Sequence, residues 1–369
     1  MKMLKYDDVV TFDHLQDAYR IIKKNTKHRK KLFRFEMFYF SNLFSIEMVL
    51  RMRTYNHGKY NLFLIHEPKY RLIMSEGLSD KIVNHLVSKY VLQPIIFPML
   101  ISSNVATRKE KGSRSAIDYF KYYVNFLKKK GDYVYVLKCD ISKYFYNIDH
   151  DILLSMVRKF PIDNDLYSLL CNIVSSTDDI HINSIISKLV DQEKLNVLDN
   201  SLKEELERIP MYHKGKGLPI GNMSSQIFAL LYLNGLDHFI KEDLGIKQYI
   251  RYMDDFLLFS NDKEYLKVCW QKIENYLQKE LKLQLNRKTQ IRNLKDGVNF
   301  LGYRYVLKNK RLFIFPTSRN RSKILRKLRK LQKQSSDKYE ATKVSYKGYF
   351  MISNLHYYER FLEKLEIKE

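Results

Sequence analysis

The sequence predicts an α/β fold of the α+β kind, in which helical segments flank a sheet that carries acidic side chains. A run of β-branched and aromatic residues at 132–141 includes Asp140 near its end. Two short apolar runs flank Asp254 and Asp255 further along the chain. Such runs are typical of strands. The order of these segments predicts that all three carboxylates lie at strand ends of one sheet.

The N-terminal part of the chain combines helical and β-type patterns. Residues 13–52 carry apolar side chains at every third or fourth position among lysines, which predicts basic amphipathic helices. Residues 60–75 contain two short β-type runs separated by Glu67 and Pro68. Because proline ends the first run, this segment predicts a β-hairpin with its turn at those two residues.

The remaining segments differ in period and in charge. Residues 80–98 and 113–130 again show the helical period, and the basic connector at 102–112 suits contact with nucleic acid. Residues 176–214 are rich in Asp, Asn and Lys without a clear single period, so we interpret them as a surface insertion. Residues 295–307 predict a second hairpin. The C-terminal segment that follows is helical and strongly basic.

The charge of the chain favours a polyanionic partner. Its 369 residues include 65 Lys and Arg against 41 Asp and Glu, which gives a formal net charge of +24. Nucleic acid is the first candidate for that partner, and a membrane surface is an alternative. The 45% hydrophobic content is enough to build two or three packed units.

The cysteines and the hydropathy pattern indicate the compartment. Cys139, Cys171 and Cys269 include no CxxC pair, so neither a disulfide framework nor a zinc ribbon is predicted. We found no signal-peptide pattern and no apolar stretch near the roughly 20 residues that a membrane span needs. The expectation is a soluble, cytoplasmic protein without a membrane partner.

The three carboxylates suit phosphoryl transfer. Two Mg²⁺ ions about 3.5 to 4 Å apart can activate an attacking hydroxyl and stabilise a leaving pyrophosphate, and Mg²⁺ prefers oxygen ligands. The alternative for Asp254 and Asp255 is a solvated turn, because acid pairs also occur at Asp7-Asp8 and at 178–179. The neighbouring motifs decide between these two interpretations.

Five motifs in order resemble those of reverse transcriptases. They are KCDISKYFYNIDH (138–150), GLPIGNMSSQIFALLYLN (217–234), YMDD (252–255), LKLQLNRKTQI (281–291) and NFLGY (299–303). The resemblance implies a right-hand polymerase that copies an RNA template into DNA from deoxynucleotides. It also implies an N-terminal region with fingers at 1–130, a palm at 131–305 and a helical, basic thumb at 306–369.

The resemblance also assigns the catalytic and metal-binding residues. Asp140, Asp254 and Asp255 become catalytic residues and, together with Ile141, metal ligands for two Mg²⁺ ions, with Mn²⁺ as an alternative. Phe145 matches the aromatic residue that rejects a 2′-hydroxyl, which would make DNA the product. Without that match, Phe145 would be interpreted as a core residue of an aromatic run.

Five further residues are assigned to the nucleotide and to the leaving group. Arg71 matches the fingers arginine that holds the triphosphate, and Lys69 is the nearest lysine partner for it. Lys288 matches a lysine that protonates pyrophosphate. For each of these cations, a solvated surface charge is the alternative. Gly221 and Gln226 belong to the nucleotide-binding motif.

The role of Gly221 has two interpretations. A glycine there lets the backbone approach a base pair closely, because any Cβ would occupy that space. The alternative is a loop that leads into a helix capped by Ser224 or Ser225. Ile220-Gly221 and Ser225-Gln226 stand where many reverse transcriptases have QG and SP.

Within the family, HEPKYRLI (66–73), SDKIVNHLV (79–87) and VSYKGYF (344–350) resemble bacterial enzymes. These are the reverse transcriptases of diversity-generating retroelements and their unclassified, defence-associated relatives. Tyr349 departs from the histidine that the diversity-generating type usually has. This resemblance implies a structured noncoding RNA as template, and an accessory protein or a homo-oligomer as partner.

The basic C-terminal segment fits a thumb. RNRSKILRKLRKLQK (319–333) places cations on helical turns, with Ile324, Leu325, Leu328 and Leu331 on the opposing stripe. Such a helix can follow a duplex backbone by ion pairing. The alternative is a solvated basic helix.

Two other functions remain open at this point. One is a maturase-like RNA-binding protein with a vestigial polymerase site, although the intact YMDD and Asp140 disfavour it. The other is DNA synthesis on the same fold without a template or primed by a tyrosine, and 28 tyrosines offer no single candidate.

Overall fold

The computed structural model describes residues 3–26, 29–66, 69–334, 336–352 and 360–362. The predicted turn at Glu67 and Pro68 lies outside the described residues, as does part of the C-terminal segment. Contacts, and absences of contacts, refer to these ranges of the chain alone.

Helices and short strands alternate along the chain. The α-helices are α1 (Tyr6–Val9), α2 (Phe12–Asn25), α3 (Arg29–Glu36), α4 (Tyr39–Arg51), α5 (Leu78–Val87), α6 (Gln93–Ile96), α7 (Ser113–Leu127), α8 (Tyr144–Asn147), α9 (His150–Val157), α10 (Asn164–Val174), α11 (His181–Asn196), α12 (Asn200–Glu207), α13 (Met223–Tyr232), α14 (Asn234–His238), α15 (Lys263–Leu281), α16 (Ser318–Gln332) and α17 (Ser336–Phe350). The strands are β1 (Asn61–His66), β2 (Tyr70–Ser75), β3 (Tyr135–Asp140), β4 (Tyr249–Tyr252), β5 (Asp255–Ser260), β6 (Gln290–Asn293), β7 (Val298–Phe300), β8 (Tyr303–Lys308) and β9 (Arg311–Pro316). Within the described ranges, no helix is long and apolar enough to cross a membrane.

The strands form antiparallel sheets, which confirms the α+β prediction. The predicted N-terminal hairpin is the pair β1-β2. The acid-bearing strands belong to a four-stranded sheet of order β4-β5-β3-β6. The second predicted hairpin extends into a three-stranded sheet of order β7-β8-β9. Each strand is short, and each lies next to a turn or loop that carries polar residues.

The chain divides into two compact units. The first unit contains Met1–Arg108, Ile141–Phe239 and Ile273–Leu285, and the second contains Lys109–Asp140, Ile240–Lys272 and Asn286–Glu369. Each unit has its own buried core. The bounds of the fingers, palm and thumb remain predictions.

The core of the first unit begins with the predicted N-terminal helices. Thr11 caps α2, because its side chain accepts a hydrogen bond from His14 N. Leu15, Ala18 and Ile22 then fall on one helical face and are buried. The helical pattern predicted over residues 13–52 is therefore confirmed as α2, α3 and α4.

The segment 176–214 is more ordered than its composition suggested. It contains α11 and α12, and Ile186 of α11 is fully buried in a cluster with Leu72 and Met74 of the hairpin strand β2. Tyr70 links the hairpin to both helices, because its backbone N–H bonds Glu205 and its hydroxyl bonds Glu193. The sequence predicts an insertion on the surface, but one face of α11 is buried against the hairpin. Because polar residues are frequent in this segment, the narrow apolar stripe of α11 was not evident in the sequence.

The core of the second unit is aromatic. Phe120 of α7 stacks on Tyr305 of β8 at 3.8 Å between ring centroids, and it meets the ring of Phe259 of β5 edge-on at 4.9 Å. Aromatic pairs in these geometries add to the stability gained from burial alone. Within this unit, α7 thus packs against both β5 and β8.

The basic helix α16 has the predicted apolar stripe. Ile324 and Leu328 are buried with Phe350 of α17, and Leu325 packs against the same cluster. Leu331 is half-buried. The cations of α16 lie on its other faces, so the division into two faces is confirmed.

Two neighbouring isoleucines of α11 test the packing of the segment 176–214. We expect Ile186→Ala to lower the free energy of unfolding by about 2–5 kcal/mol, because it leaves a cavity in a closed cluster. Ile185→Ala is the matched control, since Ile185 is 38% exposed and should lose much less. Urea denaturation of both variants measures the difference. Equal effects of the two substitutions would contradict the packing described here.

Candidate active site

Two of the predicted acids face each other across neighbouring strands. Asp140 is the last residue of β3 and Asp255 is the first residue of β5, and the antiparallel register pairs them directly. Directly opposed residues of an antiparallel pair lie on the same face of the sheet. The β3-β5 pairing therefore brings these two carboxylates together, as the sequence predicted.

Asp254 lies in the tight turn between β4 and β5. Met253 has a φ of 59°, a left-handed conformation that a non-glycine residue seldom adopts. Arg251, at the end of β4, is fully buried and donates from Nη1 to the carbonyl oxygen of Met253 at 3.1 Å. The sequence did not predict this role of Arg251, because arginines are almost never fully buried. The buried guanidinium stabilises the turn that carries Asp254.

Asp255 lies in a strongly polarised environment. Its Oδ2 is 3.3 Å from the Lys138 ammonium nitrogen. Its Oδ1 is inaccessible to solvent and has no hydrogen-bond partner among the described residues. Burial raises the pKa of Asp255 to about 7, the Lys138 ammonium opposes this rise, and the charges of Asp140 and Asp254 add to it. An additional cation beside Oδ1 would satisfy this carboxylate.

The pKa of Asp140 is also raised. Burial raises the pKa of its carboxyl, while the charges of Lys138 and Lys288 and a hydrogen bond from Asn286 oppose the rise. The Asp140 carbonyl oxygen also accepts from Asn286 N at 2.7 Å. Ile141, the next residue, is buried and forms a β-bridge with Leu285.

A cavity of about 340 Å³ opens beside these acids in the second unit. Its charged lining residues are Lys138, Asp140, Asp255, Lys288, Arg292 and Arg304. Lys288 lies in a turn, where its N–H bonds the Asn286 side chain. Sequence analysis predicted Lys288 but missed the other cations. The alternation of side chains along β3 could have indicated Lys138, which stands two residues before Asp140.

The donor set fits a hard divalent cation. The described residues contain no group of three or more His, Cys, Asp or Glu side chains arranged to hold a metal. Mg²⁺ is, however, commonly bound by one or two carboxylates together with substrate phosphates. The opposed Asp140 and Asp255, with the unpaired Oδ1 of Asp255, fit that second mode.

The motifs and the comparison with protein families agree. A family model described as reverse transcriptase (RNA-dependent DNA polymerase) matches residues 64–305, which is more than half of the chain. The chain belongs to the reverse transcriptase family. Enzymes of this family use divalent metal ions. A search of curated proteins gave no match.

Solved telomerase structures are similar to this reverse transcriptase chain at low identity. Telomerase from Candida albicans in complex with a TWJ fragment of telomeric RNA is 14% identical, with a TM-score of 0.44, over 73% of this chain and 46% of that chain. Apo telomerase from Candida tropicalis, truncated from its C-terminal domain, is 15% identical with a TM-score of 0.43, over 74% and 59%. Another apo structure of the Candida tropicalis enzyme is 15% identical with a TM-score of 0.44, over 70% and 48%. The chain thus spans about half the length of these telomerase chains.

The residues that the resemblance to reverse transcriptases assigned to the triphosphate lie in the first unit. Arg71 is exposed on β2, opposite Ile65 of β1. Lys69 is exposed just before that strand. Both side chains are therefore open to a ligand, although their exposure equally fits a solvated charge.

Phe145 differs from its aromatic neighbours. Tyr144 and Tyr146 are buried, whereas Phe145 is only half-buried on the short helix α8. The Phe145 carbonyl oxygen accepts from Leu218 N at 2.7 Å, which fixes the backbone at this position. Partial exposure disfavours the core-packing interpretation of this ring.

Gly221 has a structural neighbour that the sequence did not reveal. Its φ is +136°, and a Cβ built there would lie 2.9 Å from the carbonyl oxygen of Met74 on β2. Asn222 precedes helix α13, and Ser224 and Ser225 are buried inside that helix, so neither serine is its N-cap. Gln226, one turn into α13, is half-buried and accepts from Thr107 at 3.4 Å.

The variant Gly221→Ala distinguishes the two roles of this glycine. If contact with Met74 dominates, the substitution should lower the free energy of unfolding by about 1–3 kcal/mol, because it forces an alanine into a strained conformation against a backbone oxygen. Thermal unfolding measures this loss, and Gly348→Ala, where a Cβ meets nothing within 4 Å, is the control. A native-like melting temperature with lost nucleotide incorporation would instead favour the base-pair role.

Proposed function

We propose that this protein is an RNA-directed DNA polymerase that forms cDNA by two-metal nucleotidyl transfer. The observation that carries the proposal is the direct pairing of Asp140 with Asp255 beside a cation-lined cavity, in a chain of the reverse transcriptase family. Phosphoryl transfer needs positioned charges more than covalent chemistry. Opposed carboxylates at the ends of two central strands and nearby ammonium groups supply both kinds of charge.

Each charged group has a proposed task. Asp140, Asp254, Asp255 and the backbone of Ile141 would hold two Mg²⁺ ions, or Mn²⁺, which supply charge neutralisation and a more acidic attacking hydroxyl. Lys288, which lines the same cavity as Asp140, would protonate the pyrophosphate leaving group. Arg251 keeps the Asp254 turn in position.

Further residues would supply the nucleotide contacts. Arg71 and Lys69 would bind the triphosphate, since a guanidinium suits phosphate oxygens. Phe145 would exclude a 2′-hydroxyl, so that deoxynucleotides are selected. Gly221 and Gln226 would shape the surface beneath the nascent base pair. The fingers would then lie within 1–130 and the palm within 131–305.

The partners follow from the charge distribution. The basic faces of α16 would hold an RNA–DNA duplex through its phosphates, with salt-sensitive and largely sequence-independent binding.

We further propose the bacterial branch described above, with a structured noncoding RNA as template and an accessory protein or a homo-oligomer as partner. In that branch the enzyme serves a cytoplasmic retroelement or an antiphage defence system.

Primer extension tests the polymerase assignment. With an RNA template, deoxynucleotides and Mg²⁺, the native protein should make template-matched DNA. We expect Asp254→Asn to lower the rate by at least about 100-fold, because a preorganised charge in a shielded site is worth that much. Removing Mg²⁺ with a chelator should abolish synthesis.

The control for this experiment is Asp8→Asn, which removes an exposed acid from another acid pair and should leave the rate unchanged. No synthesis by the native protein, even with RNA co-purified from its host, would refute the polymerase assignment. The RNA-binding alternative would then be favoured.

A separate experiment tests the proposed selection of the sugar by Phe145. We expect Phe145→Ala to increase ribonucleotide incorporation relative to deoxynucleotides by about 10- to 100-fold, because a pocket that loses a ring can admit the extra hydroxyl. Single-nucleotide incorporation assays with each sugar measure the ratio. Phe145→Tyr keeps the ring and should retain the native preference. An unchanged ratio in Phe145→Ala would show that another residue selects the sugar.

A further inference from the structure

Lys138 lies on the same face of the sheet as the catalytic acids. Alternate residues of a strand share a face, so Lys138 and Asp140 of β3 project from one side. The antiparallel register places Leu257 of β5 and Gln290 of β6 on either side of Lys138. None of the proposed catalytic roles uses this lysine. It stands two residues before Asp140 in the same strand.

Two interactions hold the Lys138 side chain in place. Its Nζ is 3.3 Å from Oδ2 of Asp255 and donates to the carbonyl oxygen of Asn299, in β7, at 2.9 Å. The side chains of Lys138 and Asp255 are 27% and 25% exposed, so solvent screens this ion pair only in part. An ammonium with two fixed acceptors is a positioned charge rather than a solvated one.

The acids need such a charge when no metal is bound. Asp140 and Asp255 are directly opposed, and like charges at opposed positions destabilise a sheet. Asp254 is the next residue in the chain and adds a third carboxylate. Because Oδ1 of Asp255 has no partner among the described residues, Lys138 is the cation that compensates this carboxylate.

We propose that Lys138 is a positioning residue that acts as an internal counter-cation for Asp255 and thereby keeps the affinity of the free protein for divalent cations low. This inference rests on the proposed function and deepens it. A metal ion that uses Asp255 must displace the ammonium, which remains attached to Asn299. The phosphates of an incoming nucleotide bring additional ligands and negative charge that make the displacement favourable. Metal binding would therefore be coupled to the arrival of substrate.

Binding of Mn²⁺ to the protein, without nucleotide or nucleic acid, tests the proposal directly. Electron paramagnetic resonance measures the free ion and needs no polymerase activity. We expect Lys138→Gln to bind Mn²⁺ about tenfold more tightly than the native protein, because charges about 4 Å apart interact appreciably even at the effective dielectric of a protein surface. Lys138→Arg keeps the charge and should retain the native affinity.

Two further variants separate this role from general electrostatics. Arg292→Gln removes one cation from the same cavity, where Arg292 bonds Gln290 rather than an acid, and it should change the affinity by less than half as much on a logarithmic scale. In an Asp255→Asn background, Lys138→Gln should lose most of this gain, since the effect acts chiefly through one contact. Asp255→Asn alone should change the native affinity little, because Lys138 already occupies that carboxylate.

Each outcome decides the proposal. An unchanged affinity in Lys138→Gln, an equal gain in Arg292→Gln, or a gain that persists undiminished in the Asp255→Asn background would overturn it. If Lys138→Gln fails to fold by circular dichroism, Asp255→Asn alone still tests the role of the ion pair. A large loss of Mn²⁺ affinity in that variant would mean that Asp255 is already available to metal. A failure of primer extension would refute the polymerase assignment but would not alter these binding results.

Discussion

The antiparallel register of β3 and β5 is the constraint on which the site depends. It places Asp140 directly opposite Asp255, where two carboxylates repel each other unless cations compensate them. The arrangement around this pair reflects that requirement. Lys138 contacts Asp255 from within the sheet. Lys288 lies in the turn before β6, and its charge opposes the rise in the pKa of Asp140. A buried arginine, Arg251, stabilises the turn that carries Asp254. The fold thus concentrates negative charge at one end of the central strands and surrounds it with fixed positive charge.

Local periodicity predicted most of the elements. The strands around the acids and the helices over residues 13–52 were predictable, because alternation and the 3.6-residue repeat are local properties of the sequence. The packing of the segment 176–214 was not predictable in the same way. In α11, Ile182, Ile186 and Val190 recur every four residues, but exposed polar residues and the exposed Ile185 dilute the pattern. Only the hairpin strand β2, distant in sequence, shows why that stripe is apolar.

The residue types of the site were predictable from the sequence, but the contacts between them were not. Carboxylates at strand ends are recognisable by residue type, and the resemblance to reverse transcriptases supplied their order. Alternation along β3 could indicate that Lys138 shares a face with Asp140, but not that Asp255 is its partner. That contact, like the burial of Arg251, depends on strand register and packing, which no local pattern specifies. Gly221 shows the same limit. A glycine in that motif was expected to face a base pair, yet the nearest atom that a Cβ would meet is a backbone oxygen of β2. Packing against the hairpin and contact with nucleic acid can each require a residue without a side chain at this position.

The proposed metal chemistry and the packing of the site are linked by one carboxylate. Asp255 presents one oxygen to Lys138 and keeps the other buried without a partner in the described chain, so its environment is only half compensated. Burying a charge without full compensation is costly, and proteins retain such groups chiefly where a ligand completes them. Complete compensation by side chains would remove the tendency to bind a cation. Without any cation, the opposed carboxylates would destabilise the pairing of β3 with β5. A single ammonium, anchored to a backbone oxygen outside the four-stranded sheet, lies between these extremes and leaves the final positive charge to be supplied together with the substrate.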